Sequence, residues 1–201
     1  MNLGSILIVI GVASTAVQAQ TLLLNNTTGA PHTGQFETSS LTVAQSFLTT
    51  DSAVITSVSL DLANPSGTGT LTVSLWDSAS SVPNSQIAVL GTIPDASISG
   101  AYETKTLSGL HVSLTPNTLY YVVASNSSGA VLWGSDGSVL PGSIGFALYS
   151  GGSWSGPLTS STAALTVSSV PEPQAFVGVA GLGLLAFAAW RHGWRTVRRN
   201  S

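Results

Sequence analysis

Thr70-Leu71-Thr72-Val73-Ser74-Leu75-Trp76-Asp77 puts an apolar side chain at every second position, with threonine, serine and tryptophan between them. A period of two belongs to a strand with one buried face, because successive side chains point to opposite sides of the pleat. Trp76 then falls on the face opposite Leu71, Val73 and Leu75. Val54-Ile55-Thr56-Ser57-Val58-Ser59-Leu60-Asp61-Leu62 nearly repeats the pattern, with Val54, Val58, Leu60 and Leu62 inward and Ser57, Ser59 and Asp61 outward. Further runs at 44–48, 86–92, 102–107, 119–124, 130–133, 144–149 and 163–167 bring the expectation to about nine short strands.

Turn chemistry separates these runs: Asn64-Pro65-Ser66-Gly67, Val82-Pro83-Asn84, Ser99-Gly100, Thr115-Pro116-Asn117, Asn126-Ser127-Ser128-Gly129 and Ser150-Gly151-Gly152-Ser153. Short strands at this spacing, with no helical period of useful length, predict an all-β domain, an antiparallel β-sandwich or jelly roll.

Composition narrows the chemistry. Between residues 20 and 169 the acids are Glu37, Asp51, Asp61, Asp77, Asp95, Glu103 and Asp136 and the base is Lys105, so 1 minus 7 gives a charge of −6. The whole-chain value of −3 hides this, because four arginines lie beyond residue 190. Nucleic acid and anionic lipid need basic surface and are poor partners for such a domain. The chain has no cysteine, which removes thiolate nucleophiles, zinc-thiolate sites and disulfide staples. His32, His111 and His192 stand far apart and form no metal-ligand spacing. Gly152-Ser153-Trp154-Ser155-Gly156 has tryptophan where a nucleophile elbow has serine, and reads as a turn into a strand. Asp77 and Asp136-Gly137-Ser138 lack the dense Asp/Asn/Gly spacing of a loop that wraps calcium, and read as solvated loops. The sequence nominates no catalytic residue, metal or cofactor.

Aromatic residues carry the one binding reading. Trp76, Trp133 and Trp154, with Tyr102, Tyr121 and Tyr149, could form a platform on which sugar rings stack. Thr68-x-Thr70-x-Thr72 is too short for an ice-binding face and reads as ordinary strand surface.

Both ends read as address labels. Residues 3–12 are an apolar core and 13–20 a small, polar stretch ending Val17-Gln18-Ala19-Gln20, which suits signal peptidase cutting between Ala19 and Gln20 after export through the Sec translocon. No Lys or Arg precedes it, so the α-amino group supplies the positive charge or the true start lies upstream. At the other end, residues 175–190 hold no charged or amide side chain over 16 positions, which as a helix spans roughly 24 Å, slightly short of a hydrocarbon core about 30 Å thick. The run is apolar all round, which fits a marginal single membrane span better than a surface-lying helix. Arg191, Arg195, Arg198 and Arg199 follow and predict a cytoplasmic C-terminus over 191–201. Before the span, in the linker 170–174, Pro171, Glu172 and Pro173 hold the backbone extended, which either offers a processing enzyme a segment to bind or simply stops a helix at the membrane boundary.

The order Val170-Pro171-Glu172-Pro173, short Gly/Leu/Ala-rich span and terminal arginine cluster closely resembles the PEP-CTERM sorting signal of Gram-negative bacteria, also labelled an ice-binding protein C-terminal domain. The label describes the tail and is no evidence of ice binding. The resemblance implies a substrate of an exosortase, a membrane enzyme thought to cut near the Pro-Glu-Pro, often in bacteria that make exopolysaccharide. The middle is similar to the choice-of-anchor R domain through Gln45-Ser46-Phe47, Leu71-Thr72-Val73-Ser74-Leu75-Trp76 with Val82-Pro83-Asn84-Ser85, Leu114-Thr115-Pro116-Asn117-Thr118-Leu119-Tyr120-Tyr121-Val122, and Gly152-Ser153-Trp154. It implies an exported β domain and carries no catalytic residues. The expectation is a noncatalytic surface or matrix protein, sorted and processed through its tail. The alternative is a module that binds exopolysaccharide.

Overall fold

The computed structural model describes residues 20–25, 34–37, 41–136, 143–159 and 162–171. Among the described residues thirteen strands form in this order: β1 (Thr21–Asn25), β2 (Gly34–Glu37), β3 (Thr42–Leu48), β4 (Ala53–Ala63), β5 (Thr70–Ala79), β6 (Val82–Pro94), β7 (Glu103–Leu114), β8 (Leu119–Asn126), β9 (Leu132–Asp136), β10 (Phe146–Ser150), β11 (Ser153–Leu158), β12 (Thr162–Ala163) and β13 (Leu165–Pro171). A 3-10 turn, Asp95–Ser97, follows β6. Among the described residues no helix is long and apolar enough to cross a membrane, and the apolar run 175–190 lies outside them.

The all-β expectation holds, with two antiparallel sheets. The first runs β1-β13-β4-β9-β12, with β2 added to β9 and β7 to β4; the second runs β11-β10-β3-β8-β5-β6. Period-two alternation sends Val43 and Phe47 of β3, Leu71, Val73 and Leu75 of β5, and Val122 and Ala124 of β8 to the inner face of the second sheet. They meet Ile55, Val58, Leu60 and Leu62 of β4, Trp133 of β9, and Leu165 and Val167 of β13 in one apolar cluster shared by the two sheets.

Three sequence expectations change. β4 points Ile55 inward in place of Val54, because its pairing with β7 slips between Ile55 and Ser57 and turns the face over. The β5–β6 turn is Ser80-Ser81, whose φ values of 51° and 63° suit a two-residue hairpin. Val82-Pro83-Asn84 is instead the start of β6, an edge strand in which a proline's missing N–H does no harm. β1 and β2 lie outside the nine expected runs; β1 pairs with β13, matching Thr21 to Ser169. The turns at Thr115-Pro116-Asn117 and Gly151-Gly152 form as read, with Asn117 at φ 52° and the two glycines at 62° and 91°.

Asp95 ties one end of the molecule together. Its Oδ2 accepts the Gly69 N–H at 2.8 Å and the Asn126 amide at 2.9 Å, and its carbonyl accepts from the Asn64 amide at 2.7 Å. Three loops thereby close around one buried carboxyl group, whose Oδ1 has no hydrogen-bond partner.

Candidate functional site: an aromatic groove on the second sheet

The outer face of the second sheet carries side chains that the shared core does not use. Ala44 on β3, Tyr121 and Val123 on β8 and Ala147 on β10 are buried there as a small second cluster, and Trp76 and Trp154 lie against it. Alanines in the floor leave room for two indoles. The ring centroids of Trp76 and Trp154 are 6.1 Å apart in an edge-to-face arrangement, and Tyr149 lies 5.2 Å from Trp154. Both indoles are half-buried and Tyr149 is 39% exposed, so the trio presents apolar edges to solvent.

Hydrogen bonds hold this wall in place. The Trp76 indole N–H donates to Ser74 Oγ at 2.8 Å, fixing the ring on its own strand. Beneath it, the Tyr121 hydroxyl donates to the Ser81 carbonyl at 2.6 Å, pinning the β5–β6 turn, and burial pushes its pKa up to about 12. The Gly151-Gly152 turn pairs Tyr149 with Trp154 across β10 and β11.

Beside the wall is a groove of about 470 Å³, lined also by Thr42, Thr72, Ser74 and Ser125 and by Asn84 and Gln86 of β6. The edge strands β11 and β6 approach each other, with Cα atoms within 8 Å, which curls the sheet around this face. A second groove of about 430 Å³ lies where β1 begins and β13 ends, lined by Thr21, Asp51 and Pro171 among others, and has no aromatic wall.

Trp133 does not belong to the platform. It is wholly buried, and its indole N–H donates to the Ala164 carbonyl at 2.8 Å, so it is a core residue joining β9 to the β12–β13 junction. Tyr121 is also wholly buried and serves as floor. Asp77 Oδ1 accepts from the Asn84 amide at 3.2 Å and the Ser85 N–H at 2.6 Å, shaping the rim. His111 is exposed on β7. Lys105 pairs with Glu103 at 3.1 Å, and a hydrogen bond from the Ser99 N–H, ahead of this pairing, holds the Glu103 carboxyl below its ordinary range. Pro171 closes β13 opposite Ala53, and Gln20 donates to Thr56 at 3.3 Å. Ala19, Glu172, Pro173, Arg191, Arg195, Arg198 and Arg199 lie outside the described residues, as does the side chain of Asp136.

No family model matches the chain, and no curated protein matches it. Among solved structures, it is similar to the cysteine protease and lectin-like domains of Cwp84, a surface layer associated protein of Clostridium difficile. Identity is 12% and the TM-score 0.51, over 72% of this chain and 37% of that one. The likeness is one of fold. The chain spans little more than a third of the length of that protein.

Proposed function

We propose that this is an exported, noncatalytic surface protein whose outer aromatic groove binds a glycan. The two sheets act as a β-sandwich of jelly-roll kind that displays the groove. The observation that carries the reading is the Trp76–Trp154–Tyr149 wall beside a hydroxyl-lined groove. Indole edges and faces suit the C–H surface of a sugar ring, and neighbouring hydroxyls and amides suit its O–H groups. The fold is similar to that of a surface layer associated protein with a lectin-like domain, which accords with this role. A glycan array tests it: binding that disappears on Trp76→Ala or Trp154→Ala supports the reading, and a flat array sinks it.

The tail supplies the address. In this reading signal peptidase releases the N-terminus at Gln20, the span 175–190 holds the protein in the inner membrane, and an exosortase acts at Pro171-Glu172-Pro173. The product reaches the cell surface or matrix of a Gram-negative bacterium. Glu172→Ala, or deletion of 191–201, leaves export intact and blocks maturation. Equal processing of mutant and parent, seen by intact mass, refutes it.

A further inference from the structure

Strand register brings together hydroxyl groups that are scattered in sequence. Tyr149 on β10 is opposite Thr42 on β3; Ser125 on β8 is opposite Thr72 on β5; Thr72 is in turn opposite Thr92 on β6. Val43 pairs with Ala124, so Thr42, one residue on, falls in the same row as Ser125. The result is one row of hydroxyls across five adjacent strands of the outer face. At the usual spacing of neighbouring strands, its stretch from Thr42 to Thr92 is about 14 Å long, more than one sugar ring.

Charge completes the description. Thr, Ser, Asn, Gln, Val, Trp and Tyr line the groove, with no Lys, Arg or His among them. One acid, Asp77, is next to Trp76 in sequence and accepts a hydrogen bond from the rim residue Asn84. Lys105, the one lysine or arginine between 20 and 171, is engaged by Glu103 and the Ser97 carbonyl. A polymer of acidic sugars would bring carboxylates to an acidic domain without a cation to receive them.

We infer that the groove takes an extended, uncharged polysaccharide, laid along the Thr42–Ser125–Thr72–Thr92 row with a sugar face on the Trp76–Trp154 wall. This rests on the glycan-binding reading and adds the chemical class and the direction of the chain. Hydroxyl-to-hydroxyl hydrogen bonds fix position along the row, and the indoles supply apolar contact.

Native affinity electrophoresis of the full chain in non-ionic detergent tests it, using gels that contain dextran, glucomannan or hydroxyethyl cellulose against gels that contain alginate or polygalacturonate. The expected result is retardation by at least one neutral polymer and by neither acidic one. Trp154→Ala should weaken the neutral interaction at least about tenfold, and Thr72→Val and Ser125→Ala roughly 2–10-fold each. Retardation by acidic polymers alone, abolished by Trp154→Ala, leaves the glycan site standing and overturns the uncharged class. Neutral binding that survives both hydroxyl substitutions overturns the row as the seat. Binding untouched by Trp154→Ala, or absent with every polymer, overturns the inference and the glycan-binding reading together.

Discussion

Gln45 on β3 accepts a hydrogen bond at Oε1 from the Ala163 N–H on β12, at 2.6 Å, between residues 118 apart in sequence and on different sheets. The same amide donates to the Gly145 carbonyl at 3.1 Å and to Ser143 Oγ at 2.7 Å. Its side chain is wholly buried, so the bridge is sheltered from water.

Gln45→Leu keeps the volume but removes the acceptor of the Ala163 N–H bond, while the Gly145 carbonyl keeps its bonds from the Ser46 N–H and hydroxyl. Losing one partner of a buried hydrogen bond costs about 1–3 kcal/mol, and a fall of that size in unfolding free energy is expected from denaturant titration. A variant as stable as the parent would show that the bridge contributes nothing net.

Trp133 and Trp154 should separate stability from binding. Trp133→Phe removes the donor to the Ala164 carbonyl inside the core and should cost about 1–3 kcal/mol while leaving glycan affinity of the folded protein unchanged. Trp154→Ala should do the reverse, with a small loss of stability and at least about a tenfold loss of affinity. The two readouts are a thermal melt and retardation in gels that contain a neutral polysaccharide.

Alkaline pH should act through Tyr121. Its phenol is raised to about 12 in the folded chain, against an ordinary value of about 10. The folded state keeps a proton that the unfolded state has already released, so this contribution is whole below about pH 10 and is lost as pH rises towards about 12. Tyr121→Phe should flatten the decline over that window, and should lower stability at neutral pH by about 1 kcal/mol through loss of the bond to Ser81. Denaturant midpoints measured across the window decide it.

Gly129 has φ +71°, and a Cβ added there would lie 2.7 Å from Gly67 Cα and 2.8 Å from the Ser66 carbonyl oxygen, both backbone atoms. Gly129→Ala should therefore cost at least about 1–3 kcal/mol, by prising apart the loops that Asp95 holds. Gly109, at φ +72° with open space around it, should cost less as Gly109→Ala. Equal melting temperatures for the two variants would contradict the contact.

The fold class was legible because period two is a local property: in Thr70 to Asp77 it separates Leu71, Val73 and Leu75 from Trp76, and the structure agrees. The Ser80-Ser81 turn was not, because serine carries no signature for positive φ and the next residues, Val82-Pro83-Asn84, carry a false one. Trp133 ends a continuous apolar run, Ala130-Val131-Leu132-Trp133, whose pattern assigns no face, so its burial emerged only from the pairing of β9 with β4. The groove was half visible. Trp76 and Trp154 could be named from sequence, but their contact depends on the order β11-β10-β3-β8-β5, which is set by long-range pairing. The hydroxyl row has no sequence signal at all, since its members come from different strands in fixed register.

β13 is gripped by β1 as far as Ser169 on one side and by β4 through to Pro171, opposite Ala53, on the other. Tension arriving from beyond Pro171 therefore meets the β4 ladder first and is then shared with the β1 ladder, where a strand peeled from an edge would unzip one bond at a time. Gln45 meets the chain just ahead of β13 and belongs to the sheet whose far face carries the groove. In the proposed reading the domain acts as a coupling: load taken by a bound polymer on one face passes through its middle to β13 and on to the residues beyond Pro171.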